Sequence, residues 1–394
     1  MKFIDQIDRV TLETLEATGA TKWAFGDGSI GAFVAEMDFG ISPPIKRALR
    51  AAVNKGCFGY LPAGLISDLG MATSDMLRQR YGWDVPPADV YPVPDVLKAL
   101  EMAIEHHSRP ASKIIVPTPS YTPFLIVPPM LGRDVIEVPM KMSSGVYALD
   151  LEGIERAFEN GGNLLILCNP HNPAGRTFRR DELIAIGDLV ARQGGRVFAD
   201  EIWAPLVYTG GTHIPYASIS AATAEHTITA ISASKAWNLP GLKCAQVITS
   251  NDGDRAIWKE QAFLAAHGTS NLGAVANAAA YRSGFPWLAD VLTYLDRNRQ
   301  ALASFVAERL PGVSYHVPEG TYVGWLDFSN TPLKTQPAAF FKQYANVRLT
   351  EGHNCGKDFA SFARFIFAMP LPIMDIATKR MSIAFSSISE GDSR

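Results

Sequence analysis

Between about residue 90 and residue 250, short apolar runs alternate with segments of helical period, and this alternation constrains the fold more than any other feature. The runs include Ile114-Ile115-Val116, Val135-Ile136-Glu137-Val138, Leu164-Leu165-Ile166-Leu167 and Val197-Phe198-Ala199. Segments 95–107, 150–159 and 180–193 fit the intervening helices. Strands apolar on both faces need cover on both, so the pattern predicts an α/β fold. With strands around Tyr91–Val93, 227–232 and 244–249, the expectation is a large domain built on a mostly parallel seven-stranded sheet sandwiched by helices. Helices follow from about 253 to 310.

The C-terminal stretch reads differently. Tyr322-Val323-Gly324-Trp325-Leu326-Asp327-Phe328 and Phe362-Ala363-Arg364-Phe365-Ile366-Phe367 alternate like half-exposed strands, with helical patterns near 336–344 and 371–381. A chain of 394 residues exceeds the size at which one core stops growing, which favours two domains. The expected division is a large domain over 47–285 and a smaller α+β domain made from both chain ends, 1–46 and 286–394.

Composition excludes several classes. A net charge of −3 is too small to argue for steering toward nucleic acid or an anionic membrane. Met1-Lys2-Phe3-Ile4-Asp5-Gln6 has no apolar signal core and no apolar run is long enough to span a bilayer, so a cytoplasmic protein is expected. The four cysteines (Cys57, Cys168, Cys244, Cys355) lie far apart without a C-x-x-C pair, and are expected to be buried free thiols. The eight histidines include no H-E-x-x-H, and adjacent His106 and His107 would point about 100° apart on a helix. No metal is expected.

Two motifs tempt and fail. Gly26-Asp27-Gly28-Ser29-Ile30-Gly31 matches G-x-G-x-x-G, but Ala32 to Phe39 read as extended and no helix opens before about Pro43. Ser232-Ala233-Ser234-Lys235 matches the S-x-x-K of penicillin-recognising enzymes, whose S-D-N and K-T-G are missing here.

A set of residues at strand ends carries the chemistry. After Leu164–Cys168 comes Asn169-Pro170-His171-Asn172-Pro173-Ala174-Gly175-Arg176; after Val197–Ala199 comes Asp200-Glu201; after Thr227–Ile231 comes Ser232 to Lys235. Open α/β sheets gather ligands at the carboxyl ends of their strands, so an amide, a carboxylate and an amine converge there. Those groups suit pyridoxal 5′-phosphate (PLP). An amine can form a Schiff base with its aldehyde, and a carboxylate can hold its ring nitrogen protonated. Lys235 and Asp200 fit those roles, and Asn172 would donate to the ring oxygen. Ser232, Ser234 and Lys243 offer phosphate donors, with the helix start at Asp95-Val96 supplying free N–H groups. Tyr121 would stack on the ring. Each residue alone is weak, since a lone lysine is ordinarily a solvated surface group. The ordered set is the signal.

At these residues the chain resembles fold-type I PLP enzymes of the aspartate aminotransferase superfamily. Within it the likeness is to cystathionine β-lyases of the maltose-regulon-modulator type, also called C–S lyases. Further marks are Val34-Ala35-Glu36-Met37-Asp38-Phe39, Phe58-Gly59-Tyr60, and Ser234-Lys235-Ala236-Trp237-Asn238-Leu239-Pro240-Gly241-Leu242. His171 and Arg176 help to separate this subfamily from plain aminotransferases. The resemblance implies that Arg364 clamps the substrate carboxylate, with Ala35 and Asn172 also against the substrate. It also implies a homodimer in which Tyr60 reaches the neighbouring subunit's phosphate. Two positions depart from the pattern: Trp203 stands where relatives carry His or Tyr, and Ile366 where they carry Asn.

The expected reaction is β-elimination from cystathionine or another S-substituted L-cysteine, giving pyruvate, ammonia and a thiol such as homocysteine. Transamination on the same scaffold is the near alternative, and a regulatory role in binding a transcription factor the more distant one. Intact Lys235, Asp200 and Arg364 argue against a purely binding role.

Overall fold

All seven residues of the strand Gly162–Cys168 are buried, because helices cover both faces of its sheet. Side chains alternate in direction along a strand. Leu164 and Ile166 accordingly join one core with Ile114, Val116 and Phe198, and Leu165 and Leu167 join another with Ile115, Val197 and Ala199. Truncating one of these leucines to alanine should cost about 2–5 kcal/mol.

The computed structural model describes residues 2–143 and 145–389. Its main sheet holds β1 (Val90–Val93), β2 (Lys113–Thr118), β3 (Val135–Pro139), β4 (Gly162–Cys168), β5 (Arg196–Asp200), β6 (Thr227–Ile231) and β7 (Ala245–Thr249). Their order is β1-β7-β6-β5-β4-β2-β3. The pairings β3–β2, β2–β4, β4–β5 and β5–β6 are parallel; β7 runs antiparallel to β6 and β1. The seven-stranded, mostly parallel sheet is thus as the sequence predicts. The carboxyl ends of β1, β2, β4, β5 and β6 and the amino end of β7 share one edge.

A second sheet comprises β8 (Ser314–Tyr315), β9 (Val323–Asp327), β10 (Thr350–Glu351) and β11 (Phe362–Ile366), in the antiparallel order β8-β9-β11-β10. The two chain ends meet beside it. Ile30 and Gly31 pair with Val347 and Arg348, Arg348 bonds Asp27 at 2.6 Å, and Arg297 bonds Asp8 at 2.6 Å.

Gly26 and Gly28 sit at φ +64° and +66° in turns, and the next helix begins at Pro43. Ala32 to Phe39 form a chain of bends after the two-residue strand, where an extended run was expected. Two helices are hidden from pattern reading. Pro123–Met130 holds Pro128 and Pro129 inside it, and Ala63–Tyr81 buries Gly70, Thr73 and Ser74 beside Leu69, Met76 and Leu77, which blurs its apolar stripe. The last helix runs to Ser389, beyond the expected 381. Of the cysteines, Cys168, Cys244 and Cys355 are buried, whereas Cys57 is half-exposed, against the expectation for all four.

Candidate active site

At the shared edge of the strands lies a cavity of about 190 Å³. Its lining brings together Asp95, Val96, Tyr121, Asn172, Asp200, Ser232, Ser234, Lys235, Lys243 and Ala35, ten of the twelve residues singled out in the sequence. Register explains the convergence: Cys168 pairs with Asp200 and Asp200 with Ala230, so β4, β5 and β6 end level.

Lys235 is carried by a tight turn after β6. Ser232 Oγ donates to the Cys244 carbonyl at 2.8 Å and accepts from the Ser234 N–H at 3.0 Å. The Ala233 N–H donates to Asn277 Oδ1 at 2.9 Å. Three residues on, Asn238 takes a left-handed backbone (φ +58°) and clasps Met37, accepting from its N–H at 3.0 Å and donating to its carbonyl at 2.8 Å. Asparagine is among the few residues that adopt this conformation readily. The clasp draws the N-terminal segment over the lysine. Lys235 Nζ donates to the Ala35 carbonyl at 3.1 Å and lies 5.6 Å from the centre of the Trp203 ring.

That segment is itself anchored. Lys22 and Asp38 form a 2.7 Å ion pair with both side chains buried, and Trp23 Nε1 donates to the same carboxylate at 2.8 Å. Removing Lys22 would leave a buried, unpaired carboxylate, a change that costs about 3–5 kcal/mol in comparable cases.

The electrostatics of the cavity are those of buried charges short of partners. Burial pushes the Lys235 amine down to about 8, helped by Arg364 and opposed by Glu36 and Asp200. Burial also pushes the Asp200 carboxyl up to about 7, against the Ile202 N–H, the Lys235 charge and, on the raising side, Glu201. A cationic ring nitrogen beside Asp200 would supply the charge that this carboxylate lacks, so the site fits a pyridoxal ring.

Arg364, on β11 of the other sheet, does not line this cavity but reaches Asn172, which does. It donates to Asn172 Oδ1 at 3.4 Å, to the Phe33 carbonyl at 2.9 Å and to Thr350 Oγ1 at 3.3 Å. Its Nε is buried without a hydrogen-bond partner among the described residues, and burial lowers its pKa. A buried guanidinium with an unused N–H fits an incoming carboxylate.

The end of the cavity at the start of the helix Val96–His106 is polar. Asp95 caps the helix Val96–His106, accepting from the Lys98 N–H at 2.9 Å, and its other oxygen meets Lys243 Nζ at 2.7 Å. Lys243 thus neutralises a carboxylate that would repel a phosphate. The amide N–H groups of the first turn and the Ser234 hydroxyl are donors available there, while the Ser232 hydroxyl lines the cavity with its O–H already given to the Cys244 carbonyl. Tyr121 packs edge-on against Phe124, with ring centres 5.4 Å apart.

Several residues are placed elsewhere or went unread. Tyr60 is not in this cavity; it is 88% exposed and borders an apolar recess of about 960 Å³ with Leu61, Ile66, Phe263 and His267. Arg176 is a tie, gripping Glu319 and Glu182 with both ends of its fork. Ile366 is fully buried and its N–H donates to the Ala32 carbonyl at 2.8 Å. The unread residue is Tyr322, whose hydroxyl donates to the Ala35 carbonyl at 2.9 Å and whose ring meets Trp203 edge-on with centres 4.7 Å apart. No metal-binding group of three or more His, Cys, Asp or Glu occurs among the described residues.

The family model for aminotransferases of class I and II matches residues 34–377. A cystathionine β-lyase of Corynebacterium glutamicum is 37% identical over 372 residues, covering 94% of this chain and 98% of the relative. A crystal structure from Corynebacterium diphtheriae, provisionally named a PLP-dependent β-cystathionase, superposes with a TM-score of 0.90 at 37% identity, covering 96% and 98% of the two chains. The PLP-bound C–S lyase of Staphylococcus hominis superposes with a TM-score of 0.86 at 28% identity, covering 93% and 96%.

Proposed function

The chain belongs to the class I and II aminotransferase family, and from that premise we propose that it is a PLP-dependent carbon–sulfur β-lyase of the cystathionine β-lyase type. Its substrates are cystathionine and other S-substituted L-cysteines; with water, each gives pyruvate, ammonia and a thiol. Relatives of that name at 35–37% identity over most of the chain support the reaction class. The observation that carries the substrate class is the buried Arg364 with its unused Nε, placed beside Asn172 in reach of an amino acid's α-carboxylate.

Bound PLP supplies an electron sink for the carbanion formed when Cα loses its proton. Lys235 would hold it covalently, Asp200 would pair with its ring nitrogen, Asn172 with its ring oxygen, and Tyr121 would lie on its face. Ser234, Lys243 and the helix start at Asp95-Val96 would hold its phosphate, with Ser232 bracing the turn that carries Ser234. Arg364 orients the substrate by its carboxylate, with Ala35 at its side. Lys235, its amine set free when the substrate's own amine takes its place, would then take the Cα proton. An exposed lysine, with a pKa near 10.4, is almost wholly protonated at neutral pH and a poor base; burial in this cavity lowers the amine to about 8 and raises the fraction that is free near neutral pH. Trp203 and Ile202 add apolar wall to the same cavity.

The reading extends to assembly. Tyr60 and Phe263, 88% and 77% exposed on the rim of the larger recess, leave an apolar face that suits a second copy of the chain. In such a homodimer Tyr60 would reach the phosphate of the neighbouring site. The small domain would comprise 1–46 and 286–394, around the large domain 47–285. Among the described residues no helix is long and apolar enough to cross a membrane; a cytoplasmic location goes with this reading. Lys235-dependent release of pyruvate and thiol in equal amounts from cystathionine tests the proposal.

A further inference from the structure

The carbonyl of Ala35 accepts two hydrogen bonds, from Lys235 Nζ at 3.1 Å and from the Tyr322 hydroxyl at 2.9 Å. A carbonyl oxygen has two lone pairs, so both donors are served and neither has to move for the other. Residues on either side of Ala35 have their own anchors. Arg364 and Thr350 hold the Phe33 carbonyl, and Asn238 holds Met37. Between them, the Glu36 N–H of the same peptide unit donates to the Val34 carbonyl at 2.8 Å, and the Tyr322 hydroxyl meets the Ala35 carbonyl itself beside the lysine.

Tyr322 is placed there by a strained backbone. Thr321, the residue before it, sits at φ +71°. That left-handed region is unfavourable for a β-branched side chain and persists only where surrounding bonds over-determine it. Here they do. The Thr321 N–H donates to the Leu206 carbonyl at 2.8 Å, the Thr321 carbonyl accepts from the Tyr208 hydroxyl at 2.7 Å, and Thr321 Oγ1 accepts from the Val323 N–H at 3.2 Å. The result is a fully buried tyrosine held edge-on against Trp203, with its hydroxyl at the carbonyl on which the lysine rests.

We propose that Tyr322 is a positioning residue for Lys235: through the shared Ala35 carbonyl it fixes where the amine rests and hence the line along which it takes the substrate's Cα proton. The inference builds on the lyase reading. Groups charged or titratable around the amine are Arg364, Glu36 and Asp200, which a Tyr322→Phe change leaves in place, along with the ring packing on Trp203.

Tyr322→Phe should lower kcat about tenfold, equivalent to ~1.4 kcal/mol, with KM and PLP affinity within about twofold of wild type. The deuterium isotope effect on kcat for substrate labelled at Cα should rise, because proton transfer becomes more limiting. In the cofactor-free full chain, acylation of Lys235 followed by mass spectrometry reads the amine directly. Its midpoint pH should fall in Tyr322→Phe, because the buried ammonium loses the acceptor held in line for it. Tyr322→Met fills much of the ring's volume without a hydroxyl, so it should show the same kcat loss and fall in acylation midpoint; it serves if Tyr322→Phe does not fold. An unchanged kcat with an unchanged or raised acylation midpoint would overturn the inference, as would equal losses of kcat, PLP affinity and melting temperature. If wild type itself makes no pyruvate, the lyase reading fails instead; an active wild type beside an unaltered Tyr322→Phe overturns this inference alone.

Discussion

Arg364 Nη1 and Asn172 Oδ1 lie 3.4 Å apart, joining the inner strand β11 of the small sheet to the loop that follows β4. The contact is long for a hydrogen bond, and the guanidinium keeps an N–H unused. An arginine so placed has binding capacity in reserve for a planar carboxylate.

Arg364→Lys keeps the charge and loses the fork. The expected result is a fall of about a hundredfold in kcat/KM for an S-substituted L-cysteine, or ~2.7 kcal/mol, carried mainly by KM. The corresponding amine without the α-carboxylate should turn over slowly in both proteins and show no such difference. Equal sensitivity of the two compounds would remove Arg364 from carboxylate binding.

Asp200 links the cofactor site to stability. Burial holds its carboxyl at about 7, against about 3.9 when unfolded. Between those values the folded protein keeps a proton that the unfolded chain releases. The contribution of Asp200 is therefore full below about pH 4 and is lost as pH rises through about 7, by a few kcal/mol. Asp200→Asn has no such loss. Urea midpoints of the cofactor-free proteins should diverge in that window, with wild type falling further, and PLP should restore it. Parallel curves for the two proteins would contradict this.

The proposed homodimer, if its sites are shared through Tyr60, predicts complementation. Lys235→Ala and Tyr60→Ala should each be inactive or nearly so. Unfolded together and refolded as a mixture, they should regain about a quarter of wild-type activity, since half of randomly paired dimers are mixed and each mixed dimer has one native site of two. Activity no greater than the sum of the two variants would argue that Tyr60 serves its own chain or none.

Much of this was legible because the signal was periodic or sat at a strand end. The buried strands β2, β4 and β5 announce themselves as unbroken apolar runs. Asn172, Asp200 and Lys235 each follow such a run, so the level ends of adjacent parallel strands bring them together. Lys243 was legible as a cation, but its pairing with Asp95 was not, because the two are 148 residues apart in sequence. Tyr322 was read only as part of an alternating strand. Its approach to Ala35 depends on the left-handed turn at Thr321, which no propensity predicts for threonine. The helix Pro123–Met130 was hidden by its own prolines, which local rules treat as breakers and which the packing overrides. Tyr60, solvent-exposed in one chain, acquires its proposed meaning only with a second.

The most direct test of the account is to incubate the PLP-loaded protein with L-cystathionine and follow pyruvate, free thiol and the form of the cofactor together, with Lys235→Ala alongside. The account predicts pyruvate and thiol in equal amounts over many turnovers, the cofactor returning each time to its lysine-bound form, and no product from Lys235→Ala. Accumulation of the aminated cofactor with no pyruvate from the wild type would contradict it and assign the site to amino-group transfer.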